Sequence, residues 1–231
     1  MRGFARSLKQ GAIAGVVIGV VAALALGAYL MVAGAATVSD PTKIVVVFAM
    51  AREDGAPVAH TIAVVRPGAA GGGREYYMAD ASATVSVPGV SDSQLAEAYA
   101  YGGAEGVAAA HDGGSLRRGT AWIDVPPAVW ERLVRAGVDV TLTEGFDVYD
   151  GERFMEFPPG AQRVPAGNLR GLANGLAYLP FEERRTVREA LADASMAALT
   201  TGAKVPAGVA TNLSPTAWQA FVSGWKNHPK E

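Results

Sequence analysis

Three arginines, Arg184, Arg185 and Arg188, lie close together and are interleaved with Glu182, Glu183 and Glu189. Guanidinium groups at this spacing suit phosphate recognition, because each carries a permanent charge and a fork of N–H donors. The same spacing also lets the arginines be satisfied internally, with glutamates at i, i+3 and i+4 on a solvated helix face. Asp147, Asp150 and Glu152 form a second charged group, either oxygen donors for a hard cation or a solvated acidic turn. Other chemistry is missing. There is no G-x-S-x-G elbow and no G-K-[ST] phosphate loop. Gly68–Gly73 lacks the lysine and the following helix that a phosphate cradle needs, so it reads as a loop. Ser223 and Lys226 have serine–lysine spacing but sit on the last helix without further partners. His60, His111 and His228 are far apart and show no ligand-pair spacing, and the chain has no Cys.

The elements that must position these groups alternate between strand and helix. Lys43–Met50 (KIVVVFAM) and His60–Arg66 are apolar runs of the kind buried on both faces of a sheet. Arg74–Ala79, Thr84–Val87, Ala121–Val125 and Val138–Leu142 also read as strands, and Gly151–Phe157 as an edge strand. Ser91 and Gln94 have capping-box spacing and predict a helix that Gly102-Gly103 stops. Pro127 opens another helix, ending at Gly137. Glu182–Leu199 carries Val187, Leu191, Ala194 and Ala198 on one stripe. Ser214 and Pro215 start a last helix with Trp218, Phe221, Val222 and Trp225 on its buried face.

Of the 231 residues, half are hydrophobic and 18% charged, which excludes disorder as the main state. The net charge of −2 offers no field for nucleic acid. Arg2, Arg6 and Lys9 precede a stretch, Gln10–Ser39, without any charged residue, and about 20 apolar residues span a bilayer. Residues 11–36 therefore read as a transmembrane helix, with residues 1–10 a basic cytoplasmic tail and everything after about 37 outside. A cleaved signal peptide ending at Ala33-Gly34-Ala35 is the other reading, and the stretch is long for one. Gly11, Gly15 and Gly19 give G-x-x-x-G steps on which two anchors can pack into a homodimer. The predicted organisation is a linker at 37–42, an exterior domain over 43–200, and a C-terminal extension over 201–231 with an amphipathic helix at 215–226.

One stretch carries a family resemblance. Val87-Pro88-Gly89 followed by Gln94–Gly103 (QLAEAYAYGG) resembles the I-P-G … K-I-N-A-A-Y-A-Y-G-G signature of LytR-CpsA-Psr proteins, envelope phosphotransferases held by one N-terminal anchor. Surrounding pieces agree in order. Lys43–Arg52 resembles the first strand with its D-x-R end, and Val58–Val65 resembles R-S-D-T-I-M-L-V. Thr120–Gly137 resembles a Y-V-x-V-D-F strand and its helix, Phe157–Gly167 resembles F-P-x-G-x-x-x-L-x-G, and Glu182–Glu189 resembles D-F-G-R-I-E-R-Q.

The resemblance implies an α/β fold, a central mostly mixed β-sheet flanked by helices on both faces. It implies binding of a polyprenyl-pyrophosphate-linked glycan, transferred to peptidoglycan or a related wall polymer with Mg²⁺ held by Asp. It also implies departures. The two metal-binding Asp positions fall at Met50 and His60, an Arg-Asp pair falls at Ala81 and Ser82, and two further Arg positions fall at Gly175 and Ala177. Arg52, Arg185 and Arg188 hold family positions, with Arg184 beside them and Asp80 next to the lost pair. Tyr99 and Tyr101 stand on the signature helix.

Removing one preorganised charge stabiliser costs about 10²–10³ in rate, so these losses point to weak or absent catalysis. A charge-assisted hydrogen bond still contributes about 1.5–3 kcal/mol, enough for metal-free arginines to hold a phosphate. The expected substrate-binding residues are Arg52, Arg184, Arg185, Arg188, Tyr99 and Tyr101. No metal or cofactor is expected, with Mg²⁺ entering only for an active enzyme. The expected partners are a polyprenyl-phosphate lipid or wall glycan, the cytoplasmic membrane and a paralogous transferase. An active phosphotransferase, and an anchored structural domain without a pocket, are the alternatives.

Overall fold

The run KIVVVFAM becomes β1, Lys43–Ala51, and its lack of alternation has a physical cause: the strand is covered on both faces. The structure is a computed structural model that describes residues 37–52, 55–67, 75–87, 90, 92–149 and 153–226. The predicted transmembrane helix, its glycine steps, the Gly68–Gly73 loop, Pro88-Gly89, Ser91, Asp150, Glu152 and His228 lie outside the described residues. Among the described residues no helix is long and apolar enough to cross a membrane.

After β1 come β2 (Pro57–Arg66), β3 (Glu75–Met78), β4 (Thr84–Val85) and β5 (Ser93–Gln94). Helix α1 (Ala98–His111) leads into β6 (Thr120–Val125), α2 (Pro127–Leu133) and β7 (Val138–Leu142). Next are β8 (Phe146–Tyr149), β9 (Phe154–Phe157), β10 (Gly160–Val164), α3 (Leu169–Gly175), α4 (Phe181–Leu199), β11 (Ala210–Thr211) and α5 (Pro215–Lys226). The main sheet has the order β11-β6-β1-β2-β3. It is mixed: β1 runs parallel to β6 and antiparallel to β2, while β3 and β11 join antiparallel at the edges.

Ile44, Val46, Phe48 and Met50 pack on one face of the sheet with Trp130 of α2, Val187 and Leu191 of α4, and Trp218 and Phe221 of α5. Val45, Val47 and Ala49 pack on the other face with Ala98, Val107 and Ala108 of α1. Helices on both faces thus match the expectation. Each large apolar side chain so buried contributes about 1.5–3 kcal/mol, which makes β1 the best-anchored element.

Five sequence expectations change. The signature helix starts at Ala98, because residues 93–94 pair with 84–85 as a short ribbon and the Glu97 carboxylate accepts the Ser93 hydroxyl at 2.6 Å. Gly102-Gly103 breaks this helix without ending it: both lie outside helical φ/ψ, and the helix resumes to His111. The strand expected over 151–157 is β9, paired only with β8 in a separate ribbon. The C-terminal segment is no appendage. β11 closes one edge of the main sheet, and α5 adds Trp218, Phe221 and Val222 to the main core, with Ser214 Oγ accepting the Ala217 N–H at 3.1 Å. The expected linker is also partly structured, since Val38 donates to the Asn212 carbonyl at 2.8 Å and accepts from Ser214 at 2.9 Å.

Candidate functional site

The arginines are carried by two elements, the end of β1 and the first half of α4. Arg52 follows the last residue of β1; it is half-exposed, and its guanidinium stands 3.8 Å from Glu97. Glu97 is held below the usual carboxylate range by the Ser93 hydroxyl first, then by the Gln94 N–H, with Arg52 adding to both. Arg52 is therefore a partnered side chain at the mouth of the sheet.

The three α4 arginines have three different surroundings. Arg185 is exposed and pairs with Glu182 at 2.8 Å and Glu189 at 3.9 Å, which is the solvated-face arrangement. Arg184 turns inward and donates to the carbonyls of Leu179 at 3.0 Å and Ala177 at 3.2 Å. It thereby satisfies the backbone that leads into α4. Arg188 is partly buried, and no hydrogen bond or ion pair among the described residues holds it. Burial and the charge of Arg184 both lower its pKa, and Asp80 opposes them. Two like charges one turn apart on a helix repel. Here Arg184 has polar partners and Arg188 has none among the described residues.

Asp80 lies in the turn after β3, where its Oδ1 accepts the Ser82 hydroxyl at 2.7 Å and the Ser82 N–H at 3.0 Å. These bonds hold its carboxyl below the ordinary range, with Arg188 adding attraction. Asp80 is thus an acidic neighbour of Arg188 across the gap between the sheet edge and α4.

The two signature tyrosines separate. Tyr101 is exposed. Tyr99 is buried and donates to Asp124 Oδ1 on β6 at 2.8 Å. Burial pushes the Asp124 carboxyl up, opposed by the Tyr99 hydroxyl and the Ala104 N–H. Ala104 opens the second half of the broken helix, so Asp124 caps that half from a neighbouring strand. Gly103 has φ +57°, and a Cβ there would stand 3.1 Å from Asp124 Oδ2. The A-Y-A-Y-G-G stretch is therefore a joint between α1 and the sheet.

The residues at the metal-binding positions do not fit Mg²⁺. Met50 offers a thioether, and His60 an imidazole whose Nε2 is sealed from solvent without a partner. Its ring packs 4.1 Å from Trp130, and its Nδ1 lies 2.8 Å from the Thr61 hydroxyl. Mg²⁺ takes hard oxygen ligands in octahedral geometry. Among the described residues no three acidic or histidine side chains converge.

His60 also marks an irregularity that sequence reading missed. Pairing steps from Phe48↔Thr61 to Ala49↔Ala59, which leaves His60 as the extra residue of a β-bulge. No local turn signal announces it. An open cleft of about 500 Å³ lies between β7, β10 and α4, lined by Asp139, Thr141, Gln162, Arg163, Thr186 and neighbouring apolar residues.

No family model matches the chain, and no curated protein does. Solved structures do share its fold. TagV of Bacillus subtilis has a TM-score of 0.53 at 16% identity, covering 81% of this chain and 80% of that one. The LytR-Csp2A-Psr enzyme from Actinomyces oris has a TM-score of 0.51 at 18% identity, covering 82% and 77%. A transcriptional regulator from Enterococcus faecalis has a TM-score of 0.51 at 15% identity, covering 83% and 75%. The chain has the LytR-CpsA-Psr fold.

Proposed function

We propose that the chain is an envelope protein that binds a phosphate group on a polyprenyl-linked or wall glycan, with weak or no turnover. The observation that carries this reading is Arg188: a half-buried guanidinium one turn from Arg184, without a polar partner among the described residues. The fold shared with an enzyme of the LytR-CpsA-Psr type supports the envelope setting. The apolar run over 11–36 supports a single anchor in the cytoplasmic membrane, with the folded part outside. Met50 and His60, standing where the resemblance places metal-binding carboxylates, support binding over catalysis.

The test is equilibrium binding of a short-chain polyprenyl phosphate glycan to the full chain in neutral detergent, with and without Mg²⁺. Losing one charge-assisted contact of about 1.5–3 kcal/mol weakens binding roughly 10–100-fold, so Arg188→Ala is expected to show that loss. Arg185→Ala is expected to bind within about threefold of the parent, because Arg185 is already paired and exposed. Binding strengthened by Mg²⁺ together with product formation would restore the phosphotransferase reading. Unchanged binding in Arg188→Ala would remove this site from the function.

A further inference from the structure

The charges around Arg188 select among phosphates, and this step rests on the binding reading above. Arg52 is offset by Glu97, and Arg185 by Glu182 and Glu189. That leaves Arg184 and Arg188 as cations, with Asp80 as the acidic group that acts on Arg188. The Nη2 of Arg184 is already directed at two carbonyls. Asp80 is fixed by Ser82 through both its N–H and its hydroxyl, so it does not swing away when a ligand arrives. Arg184, Arg188 and Asp80 together therefore carry a single positive charge, Arg185 with its two glutamates carries a single negative one beside them, and one guanidinium fork is uncommitted.

We infer that this site takes a singly charged phosphodiester in preference to a pyrophosphate diester. A phosphodiester carries one negative charge and offers two non-bridging oxygens, which one guanidinium fork engages in bidentate fashion. A pyrophosphate diester carries two charges. With no cluster of three acidic or histidine side chains among the described residues to hold a divalent cation, its second charge would be brought out of water unmatched and against Asp80. The ligand class is a phosphate linking two organic groups, either a lipid phosphate esterified to a sugar or a phosphodiester within a wall polymer.

The experiment uses the full chain in neutral detergent with EDTA and calorimetric titration. The probes are geranyl glucosyl phosphate, geranyl glucosyl diphosphate and glycerophosphoglycerol. The expected result is that geranyl glucosyl phosphate binds at least threefold more tightly than the diphosphate. Asp80→Asn, which removes the opposing charge, is expected to improve the diphosphate relative to the phosphodiester on the order of tenfold. Arg188→Lys keeps the charge, loses the fork and should weaken the phosphodiester, with unchanged circular dichroism reporting the fold. Comparable binding of glycerophosphoglycerol upholds the inference and assigns the source to a polymer phosphodiester; its failure beside a binding lipid probe upholds it and assigns a lipid. A diphosphate that binds as tightly as or more tightly than the phosphodiester overturns the inference and leaves the binding reading standing. If no probe binds, the binding reading fails, and this inference with it.

Discussion

Burial pushes the His60 imidazole down to about 3, from an ordinary value of 6.5, because its ring is packed on Trp130 away from water. The folded state therefore disfavours the imidazolium. Stability from this group is complete above pH 6.5 and is lost as pH falls from 6.5 toward 3. Each unit of separation corresponds to about 1.4 kcal/mol, so lowering the pH from 6.5 to 4.5 removes about 2–3 kcal/mol. Glutamates begin to protonate toward pH 4.5 as well, but they do so in parent and variant alike, so the comparison isolates this histidine. The assay is denaturant unfolding of the full chain in neutral detergent at both pH values, followed by tryptophan fluorescence, for the parent and for His60→Leu. Leucine fills the space beside Trp130 and does not titrate. It leaves the Thr61 hydroxyl without its ring partner, a cost that is the same at both pH values. The parent is expected to lose about 2–3 kcal/mol more than the variant on acidification. Equal losses, or a His60 ring proton that titrates near 6.5 by NMR, would refute the buried neutral imidazole. Confirmation bears on function, since a neutral, enclosed imidazole supplies neither charge to a phosphate nor an oxygen ligand to Mg²⁺.

Gly103→Ala forces a side chain into left-handed backbone 3.1 Å from a carboxylate oxygen. It is expected to cost about 1–3 kcal/mol, lowering the melting temperature by roughly 2–4 °C per kcal/mol. Gly102→Ala, with extended φ and open space, is expected to stay within about 1 kcal/mol of the parent in the same melt. Asp112 is buried at the end of α1 and bound by Lys43, the Arg117 N–H at 3.0 Å and the Thr120 hydroxyl at 2.8 Å. Burial raises its pKa, but these partners together outweigh burial and hold it below the ordinary value. Its contribution is thus present above pH 4 and lost as pH falls further, the opposite end of the scale from His60. Asp112→Ala leaves Lys43 partly buried without its carboxylate and is expected to cost about 3–5 kcal/mol by denaturant unfolding.

The sheet was readable where burial and composition act locally. After Lys43, the run IVVVFAM has no polar position to place outward, so it had to be a central strand. Ser214, Pro215 and the Trp218–Phe221–Val222 spacing fix α5 by capping and periodicity alone. What was not readable depends on distant partners. Ser91 and Gln94 promise a helix start, but residues 93–94 find a strand partner in 84–85 and Glu97 takes up the local donors. Gly102-Gly103 looks like a stop, and only Asp124, more than twenty residues later, caps a continuation. In the arginine cluster the sequence left two readings for all three residues. The structure divides them: Arg185 is a solvated pair member, Arg184 a backbone cap, and Arg188 has no hydrogen bond or ion pair among the described residues. No spacing rule distinguishes i from i+4 on a helix until the neighbouring elements are known.

The substitutions that remove the expected metal site are electrostatically coupled. By the resemblance, Asp is replaced at Met50, His60 and Ser82, and Arg is replaced at Ala81, Gly175 and Ala177. By that resemblance, equal numbers of opposite charges are replaced, which would leave the formal charge unchanged while removing carboxylates suited to a divalent cation. Had only the arginines been lost, the remaining carboxylates would repel any phosphate. Had only the carboxylates been lost, surplus guanidinium groups would crowd one another half out of water, the strain already present between Arg184 and Arg188. Losing both would avoid either imbalance and leave Arg184 and Arg188 opposed by Asp80. On the proposed reading, such a patch would suit a phosphate of low charge better than the charge that develops during phosphoryl transfer. Restoring Asp at positions 50 and 60 together is therefore expected to weaken metal-free phosphate binding rather than restore turnover. The same titration with the double variant checks this, and turnover gained with Mg²⁺ would show that the missing arginines are dispensable.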